Sequence, residues 1–325
     1  GNYSESCRFL LKIHDNFVIL SLMVNRTTQS RIESLACRYR ELARGRAHIL
    51  HDIAVAEIPE MVYNSNAIEN STLTLKDTED ILLRDIVRKN RDIREIYEAK
   101  NLARIMDSLL ADPARPLNLP LILEWHKTLL SGINDAWAGR FRSGKEWVRV
   151  GNHIGANPDF VLSLMDEAVS RYNTDSDEWF LSRIAWFHAE FETVHPFCDG
   201  NGRLGRVLIN QQLLHLGYPP VIVKNKGKQT DYYPLFARYL ATGKADGFTS
   251  LLALLLIESL HKRIAYLTSR RIVPLAGWSK AAKQNASAML NKAKRQTIPA
   301  FRVREKWMID ADYEFPADQK DNRTE

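Results

Sequence analysis

Apolar residues recur at spacings of three and four positions through most of the chain between residues 30 and 265, in runs that end at Pro, Gly or Asn. This spacing puts the apolar side chains on one face of each helix, which must then pack against another element. Because 45% of the residues are hydrophobic and 26% are charged, the chain has the composition of a globular protein with a sizeable core. The sequence therefore predicts a mostly α-helical protein.

One segment has a different period. Residues 146–150 (EWVRV) are rich in β-forming side chains, and Gly151-Asn152 supplies turn residues before His153-Ile154. This pattern predicts a β-hairpin. Since an isolated hairpin is only marginally stable, it must pack on the helices, and its place in a helical protein fits a mobile flap.

The basic residues are concentrated towards the carboxyl end. Residues 262–306 contain twelve Lys and Arg and one acid, so this segment carries +11, whereas the whole chain carries +6 and the remainder is at −5. The change in character predicts a domain boundary near residue 268. The predicted divisions are an amino-terminal helical segment at 1–59, a helical domain at 60–267, a basic module at 268–310 and a polar tail at 311–325.

Cysteine usage and hydropathy favour a reducing compartment. The three cysteines, at positions 7, 37 and 198, are too few and too scattered for a disulfide framework. The apolar run at 16–24 is short, abuts an aspartate and lacks a small-x-small cleavage site. The apolar run at 251–257 is far shorter than the roughly 20 residues that a membrane span needs. We therefore expect a cytoplasmic protein without a membrane segment.

The most informative segment is residues 195–206, HPFCDGNGRLGR, which ends one predicted helix and opens the next. A glycine-rich loop that enters a helix exposes unpaired backbone N–H groups and the positive end of the helix dipole. Gly200 and Gly202 let an anion approach this backbone closely. The segment therefore predicts a phosphate cradle.

Four side chains around the cradle add further chemistry. Arg203 and Arg206 are three positions apart on the new helix, so both can reach phosphate oxygens on one side. Asp199 is a hard oxygen ligand that suits Mg²⁺ bridging a polyphosphate. His195, with an ordinary pKa of about 6.5, can take a proton from a hydroxyl near neutral pH.

This segment resembles the Fic family signature, H-P-F-x-[D/E]-G-N-G-R-x-x-R, at every fixed position, and the resemblance extends over about residues 60–260. It implies a helical bundle with a β-hairpin flap and an enzyme that transfers AMP from ATP to a Ser, Thr or Tyr hydroxyl of a target protein. By this resemblance His195 deprotonates the hydroxyl and Asp199 holds Mg²⁺. The residues that it assigns to the phosphates are Gly200, Asn201, Gly202, Arg203 and Arg206.

The resemblance also assigns the hairpin and an aromatic pair. The hairpin at 146–154 takes the place of the flap that aligns an extended target segment by strand addition. Tyr232 and Tyr233 are similar to the aromatic pair beside the adenine. The residues that follow, 240–244, depart from the family's small-Asn-x-Gly-Asp pattern.

A second motif lies upstream, where residues 65–70 (SNAIEN) fit the family's inhibitory pattern [S/T]-x-x-x-E-[G/N]. On a helix, Ser65 and Glu69 share a face because they are one turn apart. The resemblance implies that Glu69 pairs with Arg206 and withdraws this arginine from the γ-phosphate. A motif of this kind in the same chain predicts self-inhibition without a separate inhibitor protein.

The basic module at 268–310 reads as helix, turn, helix and strand-like hairpin, and resembles a small winged helix-turn-helix. Its second helix bears Lys292, Lys294 and Arg295, and its wing bears Arg302, Arg304 and Lys306, a layout that suits contacts to DNA phosphates. The alternative is a packing or protein-binding module, because one fold can serve many functions.

Two further hypotheses stay open beside the self-inhibited AMP transferase. The first is a regulator that binds duplex DNA through 268–310 and senses a nucleotide through the Fic domain. The second is an enzyme in which Glu69 orients a water that removes AMP from a modified target. The expected partners are ATP and a target protein, and the sequence leaves a homodimer open.

Overall fold

The fold comes from a computed structural model that describes residues 26–315 except 89, 152, 176 and 270. The apolar run at 16–24 and most of the predicted tail therefore lie outside the described residues. Most of the described residues are helical, which confirms the predicted fold class. The chain forms two compact units, which are taken in turn below.

The helices are α1 (Arg26–Ala43), α2 (Ala47–Ile68), α3 (Leu75–Arg84), α4 (Ile93–Ala111), α5 (Leu119–Leu130), α6 (Val161–Thr174), α7 (Phe180–Val194), α8 (Asn201–His215), α9 (Tyr233–Thr242), α10 (Asp246–Thr268), α11 (Leu275–Ala281) and α12 (Ala286–Lys294). A π-helical turn at Lys228–Tyr232 precedes α9. The strands are β1 (Arg149–Val150), β2 (His153–Ile154), β3 (Ile272–Pro274), β4 (Phe301–Val303) and β5 (Lys306–Asp310). None of the described helices combines the length and the apolar character that crossing a membrane requires.

The first unit, residues 26–29 and 51–255, is a helical bundle around α8. Nearly every residue of α8 is buried, including polar ones, as is typical of a central helix. Helix α7 packs along α8, and α4 and α5 also contact it. The largest fully buried side chains of this core include Leu102, Ile105, Trp125, Phe187, Phe191 and Phe197.

Side-chain caps determine where the flanking helices begin. Thr74 and Asp77 form a capping box at the start of α3. Asp92 accepts a hydrogen bond of 2.8 Å from the N–H of Arg94 at the start of α4, and Asn118 accepts one of 2.8 Å from Leu121 at the start of α5. These local signals place two of the helices that contact α8.

The predicted hairpin is confirmed, although it is short. Arg149 pairs with Ile154 and Val150 with His153 in an antiparallel register. Residues 146–148 lie outside the strands. The side chains of Val150 and Ile154 are about half exposed, so the hairpin presents apolar side chains to solvent.

The second unit comprises residues 30–50 and 256–315. Its antiparallel sheet has the order β3-β5-β4, with helices α11 and α12 between the first and second strands in sequence. The core of the sheet and helices contains Leu275, Trp278, Met289, Ala293, Ile298, Ala300 and Ile309. The predicted helix, helix and hairpin are present in that order, and the resemblance to a winged helix stays a prediction.

The two units divide the chain differently from the predicted boundaries. Position 59 lies inside α2 and position 268 is the last residue of α10, whereas the units divide at 50/51 and 255/256. The reason lies in the second half of α10. Glu258 forms an ion pair of 2.6 Å with Arg302, and Tyr266 packs its ring against Phe301, so residues 256–268 belong to the basic module.

Candidate active site

The segment that was predicted to hold the cradle lies at a helix-to-helix junction. Helix α7 ends at Val194, and His195 adopts a left-handed conformation with φ 52°. Gly200 caps the start of α8 with φ 84°. A Cβ at this position would lie 2.9 Å from Cδ2 of Leu129, so glycine is required both for the backbone conformation and for space.

Asn201 shapes the loop with its side chain. Its Oδ1 accepts a hydrogen bond of 2.9 Å from the N–H of Phe197, and its Nδ2 donates one of 2.8 Å to the carbonyl of the same residue. The side chain is buried, so these bonds replace water. The predicted contribution of Asn201 to phosphate binding therefore depends on its position at the start of α8.

His126, which the sequence reasoning missed, packs against the loop at 195–200 and bonds to its backbone. Its ring stacks on Phe197 with centroids 3.6 Å apart. The N–H of Gly139 donates to Nδ1 at 3.0 Å, so the other ring nitrogen carries the proton and donates to the carbonyl of Asp199 at 3.0 Å. Burial lowers the pKa of His126 to about 4. No local pattern singles out this histidine, because it lies on α5, far from the motif in sequence.

His195, the predicted general base, is a largely buried imidazole at the end of α7. Burial lowers its pKa to about 4, and the Arg142 cation contributes to the shift, although a bond to the carbonyl of Glu192 opposes it. The imidazole is therefore neutral near pH 7 and can accept a proton. Its Nδ1 lies 3.4 Å from the carbonyl oxygen of Glu192 and 3.8 Å from the Oε2 atom of the same residue.

Glu192 is a second group that the sequence reasoning missed. Burial raises its pKa to about 8, the nearby Glu69 carboxylate adds to the shift, and Arg206 opposes it. A Cβ on Gly205 would collide with its Oε1 atom. A neutral carboxylic acid therefore packs against α8 beneath His195 near pH 7.

Glu69 occupies the cradle itself. Its Oε1 accepts a hydrogen bond of 2.8 Å from Nη2 of Arg206, and a Cβ on Gly202 would collide with the same carboxylate. Arg206 also donates from Nε to the hydroxyl of Ser65 at 3.0 Å and from Nη2 to the carbonyl of Ser65 at 2.8 Å. A carboxylate thus lies above the glycine that a phosphate would approach.

These contacts keep the Arg206 guanidinium protonated. Burial by itself lowers the pKa of a guanidinium, but the facing Glu69 carboxylate and the Tyr232 side chain raise the pKa of Arg206 above its usual range. The side chain of Arg206 is 6% exposed and that of Glu69 is 40% exposed. The pair therefore has one buried cation and one anion at the solvent boundary.

The backbone at the end of α2 explains why the predicted motif at 65–70 ends in Gly or Asn, here Asn70. The N–H of Ser71 donates to the carbonyl of Asn66 at 3.0 Å, and the N–H of Asn70 donates to Ala67 at 3.2 Å. These two bonds form a Schellman motif, in which the residue at Asn70 must be left-handed, and its φ is 70°. Gly and Asn are the residues that adopt this conformation most readily.

Lys228, in the π-helical turn, and Tyr233, the first residue of α9, bind this helix end. The Nζ of Lys228 donates to the carbonyls of Ala67 at 2.9 Å and Ile68 at 3.0 Å, and to Oδ1 of Asn70 at 2.9 Å. The hydroxyl of Tyr233 donates to the carbonyl of Ile68 at 2.7 Å. A cation at a helix carboxyl end also interacts favourably with the helix dipole.

Tyr232 and Tyr233 are neighbours with different partners. Tyr232 is buried, and its hydroxyl lies 2.8 Å from Nε2 of His188, whereas Tyr233 is partly exposed and contacts the end of α2. Their ring centroids are 6.0 Å apart. Of the predicted aromatic pair, Tyr233 therefore contacts the end of α2 and Tyr232 contacts His188.

Asp199 and Arg203 belong to a ring of four charges. Arg203 pairs with Asp199 at 2.9 Å and with Glu98 at 2.9 Å. Arg94 on α4 closes the ring, since it pairs with Glu98 at 3.0 Å and also contacts Asp199. The two predicted arginines therefore have different partners, because Arg206 points to Glu69.

The donor set suits Mg²⁺ only as part of a complex with a nucleotide. No group of three or more His, Cys, Asp or Glu among the described residues is arranged to hold a metal ion. Mg²⁺ is commonly held in proteins by one or two carboxylates together with substrate phosphates. The Asp199 carboxylate, beside a phosphate cradle, fits that arrangement.

Sequence comparison identifies one family match and several similar proteins. Residues 116–213 match the Fic/DOC family. The "Protein adenylyltransferase fic-1" of Caenorhabditis briggsae is 31% identical over 216 residues, which are 60% of this chain and 42% of that protein. The "Protein adenylyltransferase Fic" of Nematostella vectensis is 30% identical over 220 residues, which are 66% of this chain and 50% of that protein. The chain thus spans half or less of the length of these curated relatives.

Solved structures agree in fold. A Fic domain containing signaling protein from Bacteroides thetaiotaomicron superposes with a TM-score of 0.64 and 25% identity, over 73% of this chain and 96% of that one. Fic-1 from C. elegans superposes with a TM-score of 0.62 and 24% identity, over 81% of this chain and 78% of that one, which supports the fold alone. Residues 116–213 are therefore the part of the chain that matches the Fic/DOC family.

Proposed function

We propose that the protein transfers AMP from ATP to a Ser, Thr or Tyr hydroxyl of a target protein and that Glu69 inhibits this transfer. The observation that carries the proposal is that one short loop joins a neutral histidine, His195, to the start of α8, where Gly202 lies in the first turn. The names of the curated relatives, which are protein adenylyltransferases, support the same reaction.

Each residue then has a defined task. His195 accepts the proton of the target hydroxyl as the oxygen attacks the α-phosphorus and pyrophosphate leaves. The backbone at Gly200 and Gly202 and the Arg206 guanidinium bind the remaining phosphates. Asp199 would hold Mg²⁺, which neutralises polyphosphate charge when it is bound. Asp199 must first exchange its contacts with Arg94 and Arg203 for the metal.

Inhibition follows from occupancy of the cradle. The Glu69 carboxylate lies where a phosphate would approach Gly202, and it holds Arg206. Holding 99% of the molecules inactive takes about 2.7 kcal/mol, half of the roughly 5.5 kcal/mol needed for a complete inversion of a two-state population. A charge-assisted contact of this kind contributes about that much.

Incubation with labelled ATP and Mg²⁺ tests reaction and inhibition together. We expect weak self-labelling by the parent, strong labelling by Glu69→Gly and none by His195→Ala in either background. Equal labelling by parent and Glu69→Gly would contradict inhibition, and labelling that survives His195→Ala would contradict the assigned base. Release of AMP from labelled protein by the parent, but not by Glu69→Gly, would instead favour the removal of AMP.

The target segment would dock on the hairpin. The exposed side chains of Trp147, Val150 and Ile154 give this segment an apolar surface beside the His195 loop. Strand addition to β1 or β2 would use main-chain bonds for affinity and leave one target hydroxyl at His195.

A second candidate function is the binding of duplex DNA by the second unit. Exposed basic residues support it: Lys280, Lys283, Lys294, Arg295 and Lys306. Arg302, which the sequence reasoning assigned to the wing, is instead held by Glu258 at 2.6 Å, so it contributes less than expected to phosphate contacts.

The full chain allows a direct test of DNA binding. If Lys283 and Lys294 contact phosphates, the double variant Lys283→Glu/Lys294→Glu should weaken duplex binding and reduce the slope of log affinity against log salt by about 2. Lys226→Glu, an exposed lysine of the other unit, serves as the control. An absence of duplex binding by the parent at low salt would exclude this candidate.

A further inference from the structure

Arg142 is a fully buried cation that no motif singled out. It lies in the segment before the hairpin, and its side chain is 1% exposed. Its acceptors are backbone carbonyls on two separate parts of the chain, the base of the hairpin and the end of α7.

The contacts join these two parts through one guanidinium. Nε donates to the carbonyl of His195 at 2.7 Å, and Nη2 donates to that of Val194 at 2.9 Å. Nη1 donates to the carbonyl of Glu146 at 3.3 Å, and Nη2 also contacts that of Ala156. Residues 146 and 156 precede and follow the two strands of the hairpin.

Backbone bonds strengthen the same junction. The N–H of Arg142 donates to the carbonyl of Pro196 at 3.0 Å, and the N–H of Ala156 donates to that of Val194 at 3.1 Å. Gly155 fills the space between, since a Cβ there would lie 2.9 Å from Nη2 of Arg142 and 3.1 Å from Cβ of His195. The left-handed His195 is therefore fixed to the base of the hairpin on both sides.

We infer that Arg142 is a positioning residue. It fixes the position of the hairpin, on which a target segment docks, relative to the His195 base. A planar guanidinium can donate to four carbonyls at fixed angles, whereas an ammonium cannot reproduce this fork. The helix end also favours a cation, because its carbonyls carry partial negative charge. The inference rests on the proposed transfer of AMP.

Arg142 should affect the transfer of AMP and not the binding of the nucleotide. The contacts of Arg142 reach His195 and the hairpin, whereas the cradle at Gly202 is held by Asn201 and the start of α8. Loss of the fork should therefore lower the rate of transfer and leave the affinity for ATP unchanged. A role in general stability would lower both.

The test uses the Glu69→Gly background, in which self-labelling with labelled ATP is measurable. Arg142→Lys should reduce the maximal rate at least 10-fold, with the KM for ATP and the directly measured Kd for ATP changed less than 2-fold. Arg140→Lys is the matched control, because this exposed arginine of the same segment pairs with Glu146 and binds other carbonyls. It should keep the rate of the Glu69→Gly background.

A second variant keeps the inference testable if Arg142→Lys does not fold. Gly155→Ala crowds the junction of the Arg142 guanidinium with Val148 and His195 without removing the charge, and Gly277→Ala, where a Cβ meets open space, is its control. A rate within 2-fold of the background, or a parallel loss of ATP binding in a folded variant, would overturn the inference. Absence of labelling by Glu69→Gly alone would instead contradict the proposed function.

Discussion

The carboxylate of Glu69 lies 2.8 Å from the guanidinium of Arg206, although the two residues are 137 positions apart in the chain. The same carboxylate lies over Gly202, where a Cβ would collide with it. If the contact excludes ATP, then its loss should be visible as tighter nucleotide binding even without any turnover.

Replacement of Glu69 by Gln tests the contribution of its charge. Gln keeps the size of the side chain but offers only a neutral acceptor, which roughly halves the strength of the bond to Arg206. We expect ATP affinity, measured by calorimetry, to rise in the order parent, Glu69→Gln, Glu69→Gly, with the last on the order of 100-fold above the parent. Equal affinities of parent and Glu69→Gln would mean that shape, not charge, closes the cradle.

Removal of the Lys228 ammonium should weaken inhibition without touching the cradle. Lys228 donates to three acceptors at the end of α2, so Lys228→Met loosens the segment that carries Glu69. We expect a rise in self-labelling of about 5-fold to 20-fold, which corresponds to roughly 1–2 kcal/mol.

The double variant with Glu69→Gly decides whether this effect passes through Glu69. In that background Lys228→Met should have no further effect, because the group that it positions is absent. Lys226→Met, an exposed neighbour, is the control. An additive increase in the double variant would show that Lys228 acts on activity by another route.

Because Asn70 is left-handed, we predict that Gly and Val at this position differ in their effect on the free energy of unfolding. Gly adopts φ 70° without a steric penalty, whereas Val costs roughly 1–2 kcal/mol there. We expect Asn70→Val to lower the free energy of unfolding by about that amount and to raise self-labelling. Asn70→Gly should change the free energy of unfolding and the self-labelling less than Asn70→Val does. Urea denaturation measures the difference, and equal stabilities of the two variants would contradict the strain argument.

The buried acid Glu192 predicts how stability depends on pH. Its pKa is raised to about 8 in the folded protein, against about 4.3 when unfolded. Between these values the folded state binds a proton that the unfolded state lacks, so this group lowers stability as the pH rises through that window.

Glu192→Gln should remove this part of the pH dependence. Relative to the variant, the parent should lose stability between about pH 5 and about pH 8, as measured by urea unfolding at each pH. Asp107→Asn, an exposed carboxylate on α4, controls for net charge. Parallel curves for the parent and Glu192→Gln would mean that Glu192 is ionised in the folded protein.

The local patterns of the sequence were sufficient to predict the helical class, the hairpin and the helix junction at 195–201. They also brought Ser65, Glu69 and Arg206 together, because a family motif links these positions. They could not predict the partners of Asp199, since Arg94 reaches it from another helix. His126 and Arg142 were missed for a similar reason: both act through backbone carbonyls of the loop.

The division into units shows a second limit of sequence reasoning. Charge predicts a boundary at 268, but α10 is one continuous helix whose second half packs with the basic module. Residues 30–50 join the same unit through contacts such as that of Arg46 with the carbonyl of Leu267 at 3.0 Å. Side chains that meet across more than two hundred positions leave no periodic signal.

The Glu69 carboxylate that lies over Gly202 is part of the same chain as the site that it is proposed to block. A tethered group competes at a fixed local concentration, which does not change when the protein is diluted or overproduced. A separate inhibitor protein would dissociate on dilution and would have to be matched in abundance. On the proposed function, the active fraction of this protein is a property of each molecule, so total output should rise in simple proportion to gene dosage.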